Sequence, residues 1–190
     1  MVHTVTRSSE DPKQNVDQEM LLEYALTANP DIICVGEMKS AEAFAAQEAA
    51  RTGHAVVTTI HANSCEATYG RMMTLCKVKY DISDSTLYNL VTEAFPIIVF
   101  VKRLEDGSRR VMEIIECEVL PDGKRILSPL FRFNVQDVAR ANGTTSIQGG
   151  FQKMKVVSET LQKRLRENGM PKEVLAKLMH RTKGDTREET

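Results

Sequence analysis

A chain of 190 residues with 42% apolar and 27% charged side chains has an ordinary globular composition and enough length to bury a sizeable core. A formal net charge of −1 excludes a dedicated nucleic-acid binder, which needs a basic face to neutralise phosphates. The strongest apolar run, residues 97–101, is far too short to span a bilayer. The four cysteines form no CxxC pair, which argues against a zinc site and for a reducing, cytosolic setting.

Residues 2–6 alternate like a strand and lead to Arg7, followed by a polar, turn-forming loop over 8–15. Arg7 is a candidate phosphate contact, with a solvated loop arginine as the alternative. Asn15 or Asp17 can cap a helix to about residue 28 that places Met20, Leu21, Tyr24 and Ala28 on one face. Asn29-Pro30 stops it, because the residue before proline avoids the α region. The run Ile32-Ile33-Cys34-Val35 is short and β-branched, hence a buried strand, and it ends at Gly36-Glu37. Ser40 can cap the alanine-rich helix that follows, and Gly53 can stop it. A second β-rich run, 55–60, ends at His61. Strand, helix, strand is the unit of a parallel sheet. Glu37 and His61 each lie just past the carboxyl end of a strand, where open α/β sheets bind ligands.

Ser64 can cap a further helix to about residue 76, with Tyr69, Met72, Met73 and Cys76 inward and Arg71 off that stripe as a candidate contact to a neighbouring subunit. Residues 84–94 read as a helix burying Leu87, Leu90 and Val91. The continuous apolar run 96–102 predicts a central strand. Asp106-Gly107 signals a hairpin into a strand over 109–120; a turn at 121–124 leads to a strand over 126–133, making an antiparallel meander. Arg109 and Arg110 flank the first turn and are candidates for acting on a neighbouring subunit's nucleotide. The Gly and Thr content of 139–150 predicts a linker. Two helices are expected over 151–167 and 172–183, parted by Asn168-Gly169-Met170-Pro171, and then a frayed tail over 184–190. The hairpin is locally basic and suits a membrane partner or an acidic membrane surface. The expected organisation is thus a domain over 1–138, a linker, a helical hairpin over 151–183 and the tail.

The stretches NPDIICVGEM, TGHAVVTTIHANS and TEAFPIIVFVKRLEDGSRRVMEI resemble the secretion-ATPase superfamily of type II and type IV secretion ATPases, pilus motors and tight-adherence pilus ATPases. The resemblance covers residues 1 to about 134. It implies an α/β fold: a partial RecA-like domain of parallel sheet and flanking helices, plus the antiparallel meander and the C-terminal helical hairpin. The strand ending in Gly36-Glu37 would be the Walker B element, and Thr59 to Ser64 the histidine box. Glu37 would orient the attacking water with the help of Mg²⁺ held through water, and His61 would sense the γ-phosphate of ATP. Gly36, His54, Thr58, Thr59, Asn63 and Ser64, with Arg7, would support the phosphate network. The intact protein would be a cytoplasmic hexamer at the inner face of the membrane, working with pilus or secretion platform proteins.

P-loop hydrolysis also needs a GxxxxGK loop ending in Ser or Thr, whose amides cradle phosphate. The only Gly-Lys pair is Gly123-Lys124; Arg125 follows it and Glu118 occupies the first glycine position. The family's acidic box is not recognisable upstream of Glu37 either. The expectation is therefore the carboxyl half of a longer ATPase, inert by itself, whose own N-terminal half carries the phosphate loop. The rival reading is a truncated, non-hydrolysing relative kept as an assembly module. A helicase-like protein is disfavoured by the neutral charge and the lack of an aromatic stacking surface.

Overall fold

The computed structural model describes residues 1–179. The expected end of the second C-terminal helix (180–183) and the tail lie outside the described residues. Two compact units divide between Phe95 and Pro96, not after residue 138 as expected.

In the first unit, Arg7 and Val16 form an antiparallel bridge that closes the polar loop, and Asp17 caps α1 (Gln18–Thr27) by accepting from the Met20 amide at 2.8 Å. Its buried side is Leu22; Met20 and Tyr24, two of the four residues expected to share one face, are exposed. Asn29 takes a φ of 47° and ends the helix before Pro30. β1 (Ile32–Val35) and β2 (Ala55–Thr58) pair in parallel, in the register Ile32↔Ala55 to Val35↔Thr58, with α2 (Glu42–Arg51) crossing between them. The cap of α2 is not Ser40. α2 has no side-chain cap; Glu42, itself buried, accepts from the Lys39 and Ser40 amides at 2.6 and 2.9 Å and so fixes the loop that enters the helix. Ala46 and Ala49 are fully buried, and their small side chains let α2 pack against α1, α3 (Cys65–Cys76) and α4 (Asp84–Ala94). Ser64 caps α3, and Tyr69, Met72 and Cys76 enter the core as expected. Tyr69 satisfies its buried hydroxyl by donating to the Phe95 carbonyl at 2.7 Å.

The second unit is an antiparallel sheet in the order β3-β4-β5-β6, built from β3 (Ile97–Arg103), β4 (Arg109–Val119), β5 (Arg125–Ala141) and β6 (Thr144–Lys153). The run expected as a central strand is therefore an edge strand, and Val99 and Val101 are exposed. The expected linker over 139–150 is instead a hairpin. Asn142 and Gly143, at φ 53° and 73°, supply the two left-handed residues of a tight two-residue turn. The first C-terminal helix consequently starts later than 151. It is α5 (Glu159–Glu167), capped by Ser158, and α6 (Lys172–Met179) follows Gly169 and Pro171. Ser158 also donates its amide at 2.9 Å, and its hydroxyl, to the buried Glu116 of β4, which ties α5 to the sheet. No helix among the described residues is long and apolar enough to cross a membrane.

Candidate functional site

The site begins as two strand ends that stay together after the regular ladder stops. Beyond the Val35↔Thr58 pair, Thr59 Oγ1 donates to the Gly36 carbonyl at 2.6 Å, and the Met38 amide donates to the Thr59 carbonyl at 2.8 Å. Met38 is buried and anchors the turn, so residue 37 is held between two fixed neighbours. Gln18, the first residue of α1, donates Nε2 to the Glu37 carbonyl at 3.1 Å. The sequence gives no signal for this role of Gln18, since a glutamine opening a helix is ordinary.

These constraints bring the two expected residues together: His61 Nε2 lies 3.2 Å from Glu37 Oε1. Both are open to solvent, with 94% of the His61 side chain and 40% of the Glu37 side chain exposed. An exposed pair of this kind adds little stability. What it provides is a carboxylate that accepts hydrogen bonds beside an imidazole that can donate them, at one rim of a parallel sheet.

The supporting residues divide. Thr59 stitches the strands, while Thr58 Oγ1 donates at 3.3 Å to the neighbouring Thr59 carbonyl. Ser64 accepts from the Ala67 amide at 3.1 Å, a helix cap that fixes the exit of the loop carrying His61 and the exposed Asn63. Gly36 has open space where a Cβ would sit. His54 does not join the pair. It precedes β2 while His61 follows it, which puts their backbones at least about 13 Å apart at strand rise. Both His54 ring nitrogens are out of solvent and without a hydrogen-bond partner. Arg7 is spent on its own loop, donating Nε and Nη2 to the Gln14 carbonyl at 3.2 and 2.9 Å. Arg71 is exposed on α3.

In the second unit, Arg109 is exposed, whereas Arg110 donates to the Ile147 carbonyl at 3.1 Å and to Ser108 Oγ at 3.1 Å and lies over the Phe133 ring. Gly123-Lys124 sits in the β4–β5 turn, where Lys124 pairs with Asp122 and the Gly123 carbonyl accepts from Arg125. It is a hairpin turn between antiparallel strands and not a strand-to-helix loop. Among the described residues no group of three His, Cys, Asp or Glu could hold a metal ion. What the described residues offer at the β1–β2 rim is one carboxylate acceptor beside one imidazole.

The type II/IV secretion system protein family profile matches residues 2–183. The chain belongs to that family. This secretion-family chain is 32% identical over 110 residues to the probable conjugal transfer protein TrbB of Sinorhizobium fredii, covering 57% of this chain and 33% of that protein. It is 36% identical over 75 residues to the type IV pilus assembly ATPase PilB of Pseudomonas aeruginosa, covering 39% of this chain and 13% of that protein. Among solved structures it resembles the VirB11 ATPase of the Brucella suis type IV secretion system, solved in complex with sulphate. That match has a TM-score of 0.51 and 25% identity over 53% of this chain and 32% of the other. The fold class is the expected one, a partial RecA-like α/β domain with an antiparallel meander. The chain spans about a third or less of the length of these relatives.

Proposed function

We propose that this chain is the water-orienting part of an ATP-hydrolysing motor for type II or type IV secretion or pilus assembly, hexameric when intact and seated at the cytoplasmic face of the inner membrane. The observation that carries the reading is the 3.2 Å contact between Glu37 and His61 at the carboxyl ends of adjacent parallel strands. The relatives named as ATPases support the reaction class.

In this reading Glu37 accepts a hydrogen bond from water and aligns its oxygen with the γ-phosphorus of ATP. The new P–O bond forms as the bond to the bridging oxygen breaks, giving ADP and phosphate, and the water's proton leaves from the Glu37 side. Bound Mg²⁺ supplies neutralisation of the phosphate oxygens. His61, exposed enough to turn, donates to a γ-phosphate oxygen when one is present and returns to Glu37 when it is gone. Thr59 and Gln18 hold the backbone that makes this alignment repeatable.

In this reading the phosphate cradle comes from the N-terminal half of the parent protein. One face of the β1–β2 sheet supports this. Ile33 and Val35 are buried, but Ile32 and Val57 are 63% and 59% exposed and Cys34 is exposed beside them. Parallel strands that are apolar on both faces are normally covered on both. The rival reading, a non-hydrolysing assembly module, rests on the lack of a phosphate loop in these 190 residues. The test is Glu37→Gln in the intact parent protein, which should retain nucleotide and lose about 10²–10⁴-fold in turnover. Unchanged turnover removes Glu37 from the mechanism, and a parent protein without a phosphate loop favours the rival.

A further inference from the structure

The second unit contains a groove that the ATPase reading does not use. Its volume is about 610 Å³, and it lies between the β3–β4 turn and the distal half of the β5–β6 hairpin. The floor is apolar: Leu104, Val135, Val138 and the buried Ile147. The rim carries three cations, Lys102, Arg103 and Arg140, against one carboxylate, Glu105.

Three features mark it as a built surface. The register of β5 against β6 slips between Val135 and Asp137. Without the slip, residues three apart would face opposite sides of the strand; with it, Val135 and Val138 both reach the floor. Gly149 is the second feature. A Cβ there would come within 2.7 Å of Phe133 Cζ and 2.3 Å of the Asn134 carbonyl oxygen, so its absence lets the Phe133 ring lie across β6. Arg110 stacks on that ring, 5.0 Å from its centroid, and is held by the Ile147 carbonyl.

The third feature is charge. The strand register sets Lys102 opposite Arg110 and Arg103 opposite Arg109. Like charges placed directly across a ladder oppose the pairing. Arg110 already has a carboxylate, Asp106, at 3.7 Å, whereas Lys102, Arg103 and Arg109 form no ion pair among the described residues. Arg140 pairs with Glu105 at 2.6 Å, but both side chains are two-thirds exposed, so that partner is easily exchanged. An anionic partner would turn this arrangement from costly to favourable.

We propose that this groove docks an acidic, extended polypeptide segment that carries an apolar anchor side chain. Its carboxylates would meet Lys102, Arg103 and Arg140, and its anchor would rest on Val135, Val138 and Ile147. A nucleotide fits less well, since strands and a turn line the groove and no helix N-terminus faces it.

The experiment is fluorescence anisotropy on the full chain with a labelled peptide alternating Asp or Glu with Leu. Binding that weakens by about tenfold or more in Lys102→Glu/Arg103→Glu, together with a gain of binding to the matching Lys/Leu peptide, supports the proposal. Val138→Ser, at an exposed position, should weaken the acidic peptide without creating affinity for the basic one. Circular dichroism confirms that the variants are folded. Absence of binding by the wild-type chain, equal binding by the charge-reversed variant, equal binding of an Asp/Gly peptide, or preferential capture by phosphatidylglycerol vesicles would each overturn it.

Discussion

Thr59 Oγ1 donates to the Gly36 carbonyl at 2.6 Å, carrying the pairing of β1 and β2 one step past the last ladder pair. Glu37 and His61 follow immediately, so the precision of their contact depends on this hydrogen bond. Thr59→Val removes the donor and keeps the shape. The expected cost is about 0.5–1.5 kcal/mol, near the low end because the group is exposed, read from urea unfolding. In the intact parent protein the same change should lower turnover more than nucleotide affinity. A variant equal to wild type in both would separate the stitch from the site.

Cys34 is exposed on the uncovered sheet face, whereas Cys65, Cys76 and Cys117 are buried. A thiol reagent should therefore modify one cysteine in the native chain and four after denaturation. Joining or adding the N-terminal half of the parent protein should protect Cys34. Undiminished labelling in a complex that hydrolyses ATP would show that the half packs elsewhere, while leaving the catalytic reading intact.

Burial pushes the Cys76 thiol up from 9.0 to about 11. The folded chain thus holds this proton more tightly than the unfolded one. Its contribution to stability is complete below the unfolded thiol's pKa and is lost as the pH rises toward 11. Cys76→Ala should lower stability at neutral pH through the small cavity it leaves, and should flatten the alkaline decline relative to wild type. Parallel declines in the two proteins, measured by urea unfolding across this range, would exclude Cys76 as the cause.

Two glycines give opposite expectations. A Cβ at Gly149 meets Asn134 and Phe133 well inside contact distance, so Gly149→Ala should cost about 1–3 kcal/mol by overpacking. At Gly36 the same methyl meets nothing within 4 Å, so Gly36→Ala should be close to neutral for stability. Thermal unfolding of the two variants checks the pair, and equal losses would contradict the packing described here.

The sequence by itself determined the local events. The strand-helix-strand order around residues 30–64, the caps at Asp17 and Ser64, the turns at Gly107 and Gly123 and the break at Gly169 all follow from φ preferences and hydrogen bonds spanning a few residues. The placement of Glu37 and His61 beyond two strand ends was legible for the same reason. The β5–β6 hairpin was legible too, in Asn142-Gly143, but the Gly and Thr content around it reads equally as a linker, because composition carries no pairing information. Only the tertiary structure decided that Gln18 holds the Glu37 backbone, that Thr59 Oγ1 reaches the Gly36 carbonyl, and that β3 lies at a sheet edge. Each of those depends on which distant segment arrives as a neighbour, and strand partners and side-chain acceptors are chosen by packing across the whole unit.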